Sequence, residues 1–547
     1  MRNTVKILDC TLRDGGYFTN WDFDIPFAKD VISSLNYSNV DIIEIGYKSP
    51  KKKNVHKFEG RFKYCNNSLL DFIPKNNRSA EYACMVDASD YIRDRIPDLN
   101  LLDSTISDKD SSLITWIRVA SYYHTLPQCI PMLSILKEKG YATTLNLMGV
   151  SLLPDGDIVN AAKTVESSPD LDCVYISDSF GTLSPTDIPN ILQQVKNEYS
   201  GKLGIHTHDN NGLAFANTIC AIDSGIDFVD STIMGMGRGA GNLRTEQQLL
   251  YMVFKLGQSQ KNPYELLDVI ERWFMPMHEK YRWGWDFTYM LSAMQDIHPT
   301  YCMNLRSANQ YTIEQIKSIL NEIHPKNRHK FTEVALSAAI RAVIDKPGIP
   351  DLSQKELPLF IPHHEPSVLV IATGPSSQRY YSELVLFIQK NQPLVIECNP
   401  SDTKFSDIAD NYLAAILNMV RMNKALSNTK LSKLKMVTGL TAVSDEISSK
   451  LEISSVPSLV SDNEIKIEKQ RISIPAYDVG MYAIAIAYLH NPDVVFLTGF
   501  DGYDNPDFPQ QRDMKKFLDD RVIRSKLISI TPTKYSVDIS PVYTYID

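Results

Sequence analysis

The sequence predicts an α/β protein in two parts, an N-terminal (β/α)8 TIM barrel with a helical extension and a C-terminal open α/β domain. Eight short β-rich runs alternate with stretches of helical period up to about residue 310. Several of those runs are apolar almost throughout, as strands buried on both faces are. A proline-rich stretch then gives way to a fresh apolar strand that ends in a tight turn. The expected boundaries are 1–310 for the barrel, 311–366 for the helical extension and Pro-rich linker, and 367–547 for the α/β domain.

The barrel strands are expected at Val5–Cys10, Ile42–Tyr47, Tyr82–Val86, Ile114–Ala120, Ala142–Leu147, Cys173–Ser177, Leu203–Thr207 and Phe228–Ile233. Between them apolar residues recur three and four apart, as in Ile158, Ala161, Ala162 and Val165, or Leu213, Ala216, Ile219 and Cys220. Chemistry in such barrels gathers at the carboxyl ends of the strands. There the sequence places Arg13 and Asp14 after the first strand, Glu44 in the second, Asp87 after the third and Arg118 in the fourth. Asn146 in the fifth, Asp178 after the sixth, and His206 and His208 at the seventh complete the series. Glu44 and Arg118 read equally well as a buried ion pair inside the barrel.

Two histidines two residues apart share one face of a strand. With Asp14 they supply two imidazoles and one hard oxygen, leaving positions on a divalent cation for water and substrate. A 2-oxo acid could fill two such positions, and Arg13 could donate to the same keto oxygen as it becomes an enolate. Making or breaking a carbon–carbon bond beside that carbonyl follows. After the eighth strand, glycines at 235, 237, 239 and 241 allow close backbone approach, and Asn242 is a candidate oxygen donor to the metal. The phosphate-loop pattern is absent from this stretch.

Composition narrows the partners. With 56 Lys+Arg against 65 Asp+Glu the net charge is −9 and no long basic run occurs, so nucleic acid is not an expected partner. The short cluster Lys48, Lys51, Lys52 and Lys53 is either a solvated loop or an attractor for an anionic substrate. Eight scattered cysteines without a C-x-x-C pair, no secretory apolar run and no span-length segment point to a reduced, cytoplasmic protein without a membrane partner. Trp273, Trp283 and Trp285 lie in a mostly helical region that reads as core packing or a dimerisation surface, and a homo-oligomer is expected. In the C-terminal part, strands are expected at 367–371, Pro393–Ile396, Lys435–Val437 and Val494–Leu497. The turn Gly374-Pro375-Ser376 and Asp501 would then flank a crevice beyond the strand ends, although an ordinary turn is the plainer reading.

The motifs Thr11-Leu12-Arg13-Asp14-Gly15, Ile43-Glu44-Ile45-Gly46, Ile205-His206-Thr207-His208-Asp209-Asn210 and Gly239-Ala240-Gly241-Asn242 lie within residues 1–300. Together they resemble the HMGL-like superfamily of metal-dependent lyases and aldolases named for an Asp-Arg-Glu barrel constellation, its 4-hydroxy-2-oxovalerate aldolases most of all. That resemblance implies Mn2+ or Mg2+ on Asp14, His206 and His208, with Asn242 completing the site, Arg13 steadying an enolate and Glu44 belonging to the constellation. Two departures stand out. The aldolases carry a histidine base three residues after the metal Asp, where this chain has Tyr17, a phenol and a poor base at neutral pH. The proton then falls to Tyr17 in a tuned site, to a metal-bound water, or to a histidine such as His56 or His124. The CoA-thioester lyases use a cysteine after strand eight, and none occurs between Ile233 and Asn242.

The C-terminal part more faintly resembles sialyltransferase-like and pterin-diphosphokinase-like α/β domains. This implies that Gly374, Pro375, Ser376 and Asp501 line a nucleotide or nucleotide-sugar crevice. The expected function is a divalent-metal aldolase or lyase joining or splitting a pyruvate-type enolate and an aldehyde, in the making of an unusual surface sugar. Two alternatives stay open: an acetyl-CoA-dependent Claisen acyltransferase, and a C-terminal glycosyl- or nucleotidyltransferase, or nucleotide-sugar binder, with the barrel as scaffold.

Overall fold

The computed structural model describes residues 4–546, apart from 51–58, 68–69, 74–78, 169–170, 308–310, 345–353, 418, 427, 461–464, 469–470 and 503–508. It forms two compact units, Met1–Asn304 with His324–Phe331, and Leu305–Ile323 with Thr332–Asp547. The segment read from the sequence as a helical extension is therefore divided between them.

In the first unit eight parallel strands close into a barrel. They are β1 (Lys6–Asp9), β2 (Ile42–Tyr47), β3 (Glu81–Asp87), β4 (Trp116–Tyr122), β5 (Ala142–Met148), β6 (Cys173–Asp178), β7 (Lys202–Thr207) and β8 (Phe228–Ser231). Each pairs with its neighbours in sequence, and β8 closes on β1 through Lys6 opposite Phe228 and Asp9 opposite Ser231. All eight lie where the alternating pattern predicts them. The helices between strands turn one apolar stripe inward. Ile25–Tyr37 buries Phe27, Val31 and Leu35, and Asp187–Glu198 buries Ile188, Ile191, Leu192 and Val195 against the barrel wall.

Inside the barrel the lower layer is apolar: Leu8, Ile42, Ala83, Cys173, Tyr175 and Phe228 pack together, with Trp116 against them. Polar side chains begin above this floor. The register between β2 and β3 shifts between Glu44 and Gly46. Such an offset re-aims neighbouring side chains, and Glu44 is fully buried. Gly46 is required there, since a Cβ would stand 2.0 Å from the Phe62 carbonyl oxygen.

The second unit carries an eight-stranded parallel sheet. Its strands are β9 (Ser367–Ile371), β10 (Leu394–Cys398), β11 (Tyr412–Ala415), β12 (Met436–Thr438), β13 (Ile453–Ser455), β14 (Val494–Thr498), β15 (Leu527–Ser529) and β16 (Asp538–Ile539). The spatial order is β13-β12-β11-β10-β9-β14-β15-β16, so the chain steps outward from β9 and then returns on its other side. A helix at Val479–Leu489, buried almost all round, packs on the sheet through residues such as Met481 and Ile484. Part of the proline-rich segment lies in structure as well: Gln354–Glu356 pairs antiparallel with Ala442–Ser444, while 345–353 lies outside the described residues. The eight cysteines are free thiols, all but Cys220 buried. Among the described residues no helix is long and apolar enough to cross a membrane.

Replacing Gly46 by Ala should lower barrel stability by about 1–3 kcal/mol, because the displaced neighbour is backbone. A urea midpoint equal to wild type would show that the second strand can shift to accept a side chain.

Candidate metal centre

The site begins where β1 ends. Asp9 accepts the Thr11 N–H at 2.9 Å and the Thr245 hydroxyl at 2.6 Å, fixing the turn that leads into the single helical turn Thr11–Asp14. The Trp21 indole N–H donates to the Arg13 carbonyl at 2.8 Å. Gly16 permits this, as a Cβ there would lie 2.1 Å from the indole ring. Arg13 and Asp14 are thereby held over the barrel mouth.

His206 and His208 leave β7 with their rings 4.9 Å apart and steeply inclined. Nδ1 of His206 faces Asp230 Oδ2 at 3.0 Å, and Nδ1 of His208 faces the Asp178 carbonyl at 2.9 Å. Each ring is oriented by that outer contact, which leaves Nε2 for a ligand. One donor atom from each of Asp14, His206 and His208 lies within 4.8 Å of the others. Asn242 joins them by donating through Nδ2 to Asp14 Oδ2 at 2.6 Å, and its own Oδ1 is buried without a partner. The strand-eight loop can come this close because residue 237 is glycine, where a Cβ would stand 2.4 Å from Asn242 Nδ2.

Beneath these groups lies a closed ring of charge. Glu44 Oε2 accepts from Arg13 Nε at 2.9 Å and Arg118 Nη1 at 3.1 Å. Arg118 Nη2 donates to Asp230 Oδ2 at 2.6 Å, and Asp230 meets His206 as above. Asp14 closes the circuit, 2.9 Å from Arg13 Nη1 and 3.5 Å from His206 Nε2. Arg118 also stacks 4.4 Å from the Tyr175 ring centroid. With neutral imidazoles, two guanidinium groups face three carboxylates, a deficit of one positive charge in a buried volume.

Asp14 and His208 are held in the forms a cation takes, while His206 must release its proton when one binds. Burial alone would raise the Asp14 carboxyl, but the Arg13 guanidinium and His206 hold it well below the usual carboxylate range. Burial pulls His206 down, yet its bonds to Asp14 and Asp230 outweigh this and raise it. His208 is kept well down by burial and by the positive charges of His206 and Arg238. An ionised carboxylate, a neutral imidazole and an orphaned amide oxygen are the forms a hard divalent ion requires. These residues fit the group.

Other sequence candidates fall in different places. The Tyr17 hydroxyl lies 3.5 Å from that of Tyr47, at the mouth. Glu44 Oε2 is shared by two guanidinium groups, while its Oε1 is buried without a partner. His124 is exposed and stacks on Tyr122, while His56 and Lys51–Lys53 lie outside the described residues. Lys48 is buried at the end of β2. Asp87 caps its own turn through Ser89, and Asn146 accepts from Thr144. The Asp178 carboxyl accepts from the backbone of Thr182 and Leu183, and burial pushes its pKa up to about 7.

In the second unit Ser376 N–H donates to Asp501 Oδ2 at 2.8 Å, and Gly374 is packed on the Gly499 carbonyl. The Gly374-Pro375-Ser376 turn and Asp501 thus meet, and the carboxylate occupies the start of the helix. A cavity of about 360 Å³ opens nearby at the ends of β9 and β10, lined by Thr373, Ser377, Gln378, Glu397, Asn399 and Lys404 among others. The four residues expected from the sequence are absent from that lining. The sequence reading missed Asp230 and Arg238; an acid inside the apolar run Phe228-Val229-Asp230 was the available signal for the first.

Fold and mouth together define a TIM barrel with a candidate metal centre at the carboxyl ends of its strands. The HMGL-like family model matches residues 124–272. The 4-hydroxy-2-oxovalerate aldolase of Carboxydothermus hydrogenoformans is 28% identical over 278 residues, 50% of this chain and 79% of that one. The oxaloacetate decarboxylase of Mycobacterium tuberculosis is 25% identical over 246 residues, 44% of this chain and 67% of that one. A crystal structure of the N-terminal domain of a candidate aldolase from Bacteroides vulgatus is 31% identical, covering 57% of this chain and 98% of that one with a TM-score of 0.48. Over residues 124–272 the barrel is thus similar to the HMGL-like family.

Arg118→Ala should destabilise the barrel by about 3–5 kcal/mol, since it leaves Glu44 and Asp230 buried with a partner lost; equilibrium denaturation reads this directly. Asp178 supplies a pH dependence. Its folded pKa of about 7 exceeds the ordinary 3.8, so its contribution is complete below about pH 4 and is lost as pH rises through about 7. Melting temperatures of Asp178→Asn should fall less steeply than wild type across that window, and an unchanged slope would assign the effect elsewhere.

Proposed function

We propose that the barrel is a divalent-metal aldolase or lyase, using Mn2+ or Mg2+, that makes or breaks a carbon–carbon bond through a pyruvate-type enolate with an aldehyde partner. The observation that carries this is the convergence of Asp14, His206, His208 and Asn242 beside Arg13. Those four residues would hold the ion. When bound, it supplies Lewis acidity at the keto oxygen of a 2-oxo acid.

The remaining roles belong to the chain. Arg13 spends Nε on Glu44 and Nη1 on Asp14, leaving Nη2 for the oxygen on which enolate charge develops. Glu44, Arg118 and Asp230 position Arg13 and His206. Tyr17 stands ready to give a proton to the alkoxide formed from the aldehyde, or to accept it back in cleavage, with the Tyr47 hydroxyl as its neighbour.

In the second unit, the cavity at the ends of β9 and β10 and the reversal of strand order beside β9 support a nucleotide or nucleotide-sugar site. An aldolase making an unusual sugar would accord with such a partner.

Deuterium exchange from solvent into the methyl group of pyruvate tests the enolate reading without an acceptor. It should require added Mn2+ or Mg2+, cease with a chelator, and vanish in Asp14→Asn; exchange that persists in Asp14→Asn would refute the reading. Tyr17→Phe separates the proton steps. Aldol turnover should fall about 10²- to 10⁴-fold while exchange continues, whereas loss of both would make Tyr17 the base at the methyl carbon.

A further inference from the structure

Three arginines surround the candidate metal centre, and they differ in one respect. Arg13 and Arg118 are each bonded to two carboxylates. Arg238, on the glycine-rich loop after β8, has no carboxylate within ion-pair distance among the described residues. Its Nη2 donates to the Ser179 carbonyl at 3.0 Å, its Nη1 lies 3.3 Å from His298 Nε2, and its Nε is buried without a partner. His298 cannot balance the charge as an anion would. Burial and the guanidinium itself hold that imidazole neutral, with its pKa well below the usual range.

This half-buried cation is aimed at the mouth. The preceding residue, Gly237, abuts Asn242 and Asp14, and Ser179 directly follows the residue whose carbonyl orients His208. The guanidinium stands 5.7 Å from the Tyr17 ring centroid, and its charge bears on His208 and Tyr122. It therefore lies beside Tyr17, Tyr122 and His208 and is not a member of the ring of charge. A guanidinium drawn half out of water without a counter-ion has donors to spare for an anionic ligand.

We propose that Arg238 selects the acceptor, taking through its unpaired donors the acidic group, carboxylate or phosphate, of the aldehyde that the enolate attacks. This rests on the enolate reading above and goes beyond it by naming the acceptor class. The carboxylate of the 2-oxo acid is provided for at the metal and Arg13, so the second anion is the one that lacks a partner. A guanidinium binds either oxyanion in the same forked manner.

Relative kcat/KM for pyruvate addition to matched aldehydes tests the assignment. The pairs are succinic semialdehyde against butanal, and glyceraldehyde 3-phosphate against glyceraldehyde, each with wild type, Arg238→Gln and Arg238→Lys. Wild type should favour the charged member of one pair by about 10- to 100-fold, the range for a hydrogen bond to a charged group. Arg238→Gln should erase that ratio and Arg238→Lys should keep part of it; the pair affected tells carboxylate from phosphate. Equal use of charged and neutral aldehydes by wild type, or a preference that survives in Arg238→Gln, overturns the proposal. So does a rise in the KM for pyruvate in Arg238→Gln with the ratio intact, which would assign the guanidinium to the oxo acid. Absence of metal-dependent methyl exchange in wild type would instead remove the enolate reading beneath it.

Discussion

Everything at the mouth of this barrel depends on the buried circuit that runs from Arg118 through Glu44, Arg13, Asp14, His206 and Asp230 back to Arg118. None of its side chains is more than 7% exposed, so no member can be lost without stranding charge in a low-dielectric interior. The circuit ties together β2, β4, β7 and β8 and the turn after β1. Strand pairing gives the barrel its shape, but the circuit fixes where Asp14 and His206 stand relative to each other. It also sets the sign of the site. Short of one positive charge with neutral imidazoles, the interior is of a sign that favours a cation.

The two imidazoles are anchored differently. His206 is backed by a carboxylate that is itself neutralised by Arg118, whereas His208 is backed by a backbone carbonyl. A carboxylate behind an imidazole raises its donor strength more than a peptide oxygen does. The pair is consequently unequal despite its matching appearance in the sequence, and the stronger member is the one built into the charge circuit.

Much of this was legible in the residues. Short β-rich runs, several apolar throughout, alternating with stretches of period 3.6 located all eight barrel strands, and His-x-His at a strand end put two rings on one side by stereochemistry alone. What stayed hidden were contacts that depend on closure of the barrel. Asp230 lies more than a hundred residues from Arg118 in the chain, and only the pairing of β8 with β1 brings it inside. Glu44 offered two readings, and the structure shows the buried ion pairs of one of them, with a register shift beside it at Gly46 that no sequence pattern announces. In the second unit, β11 was missed because Tyr412-Leu-Ala-Ala lacks the β-branched run that marks β9 and β14. The turn at Gly374 and Asp501 was legible as a juxtaposition, with one carboxylate oxygen on the Ser376 N–H and the other buried without a partner, but the nearby cavity opens among residues with no comparable motif.

The apolar layer of Leu8, Ile42, Ala83, Cys173 and Phe228 under the charged groups, with Trp116 against it, floors the barrel with side chains that offer a polar ligand no partner. The groups that can hold one all stand above that floor, so the two ends of the barrel are chemically unlike.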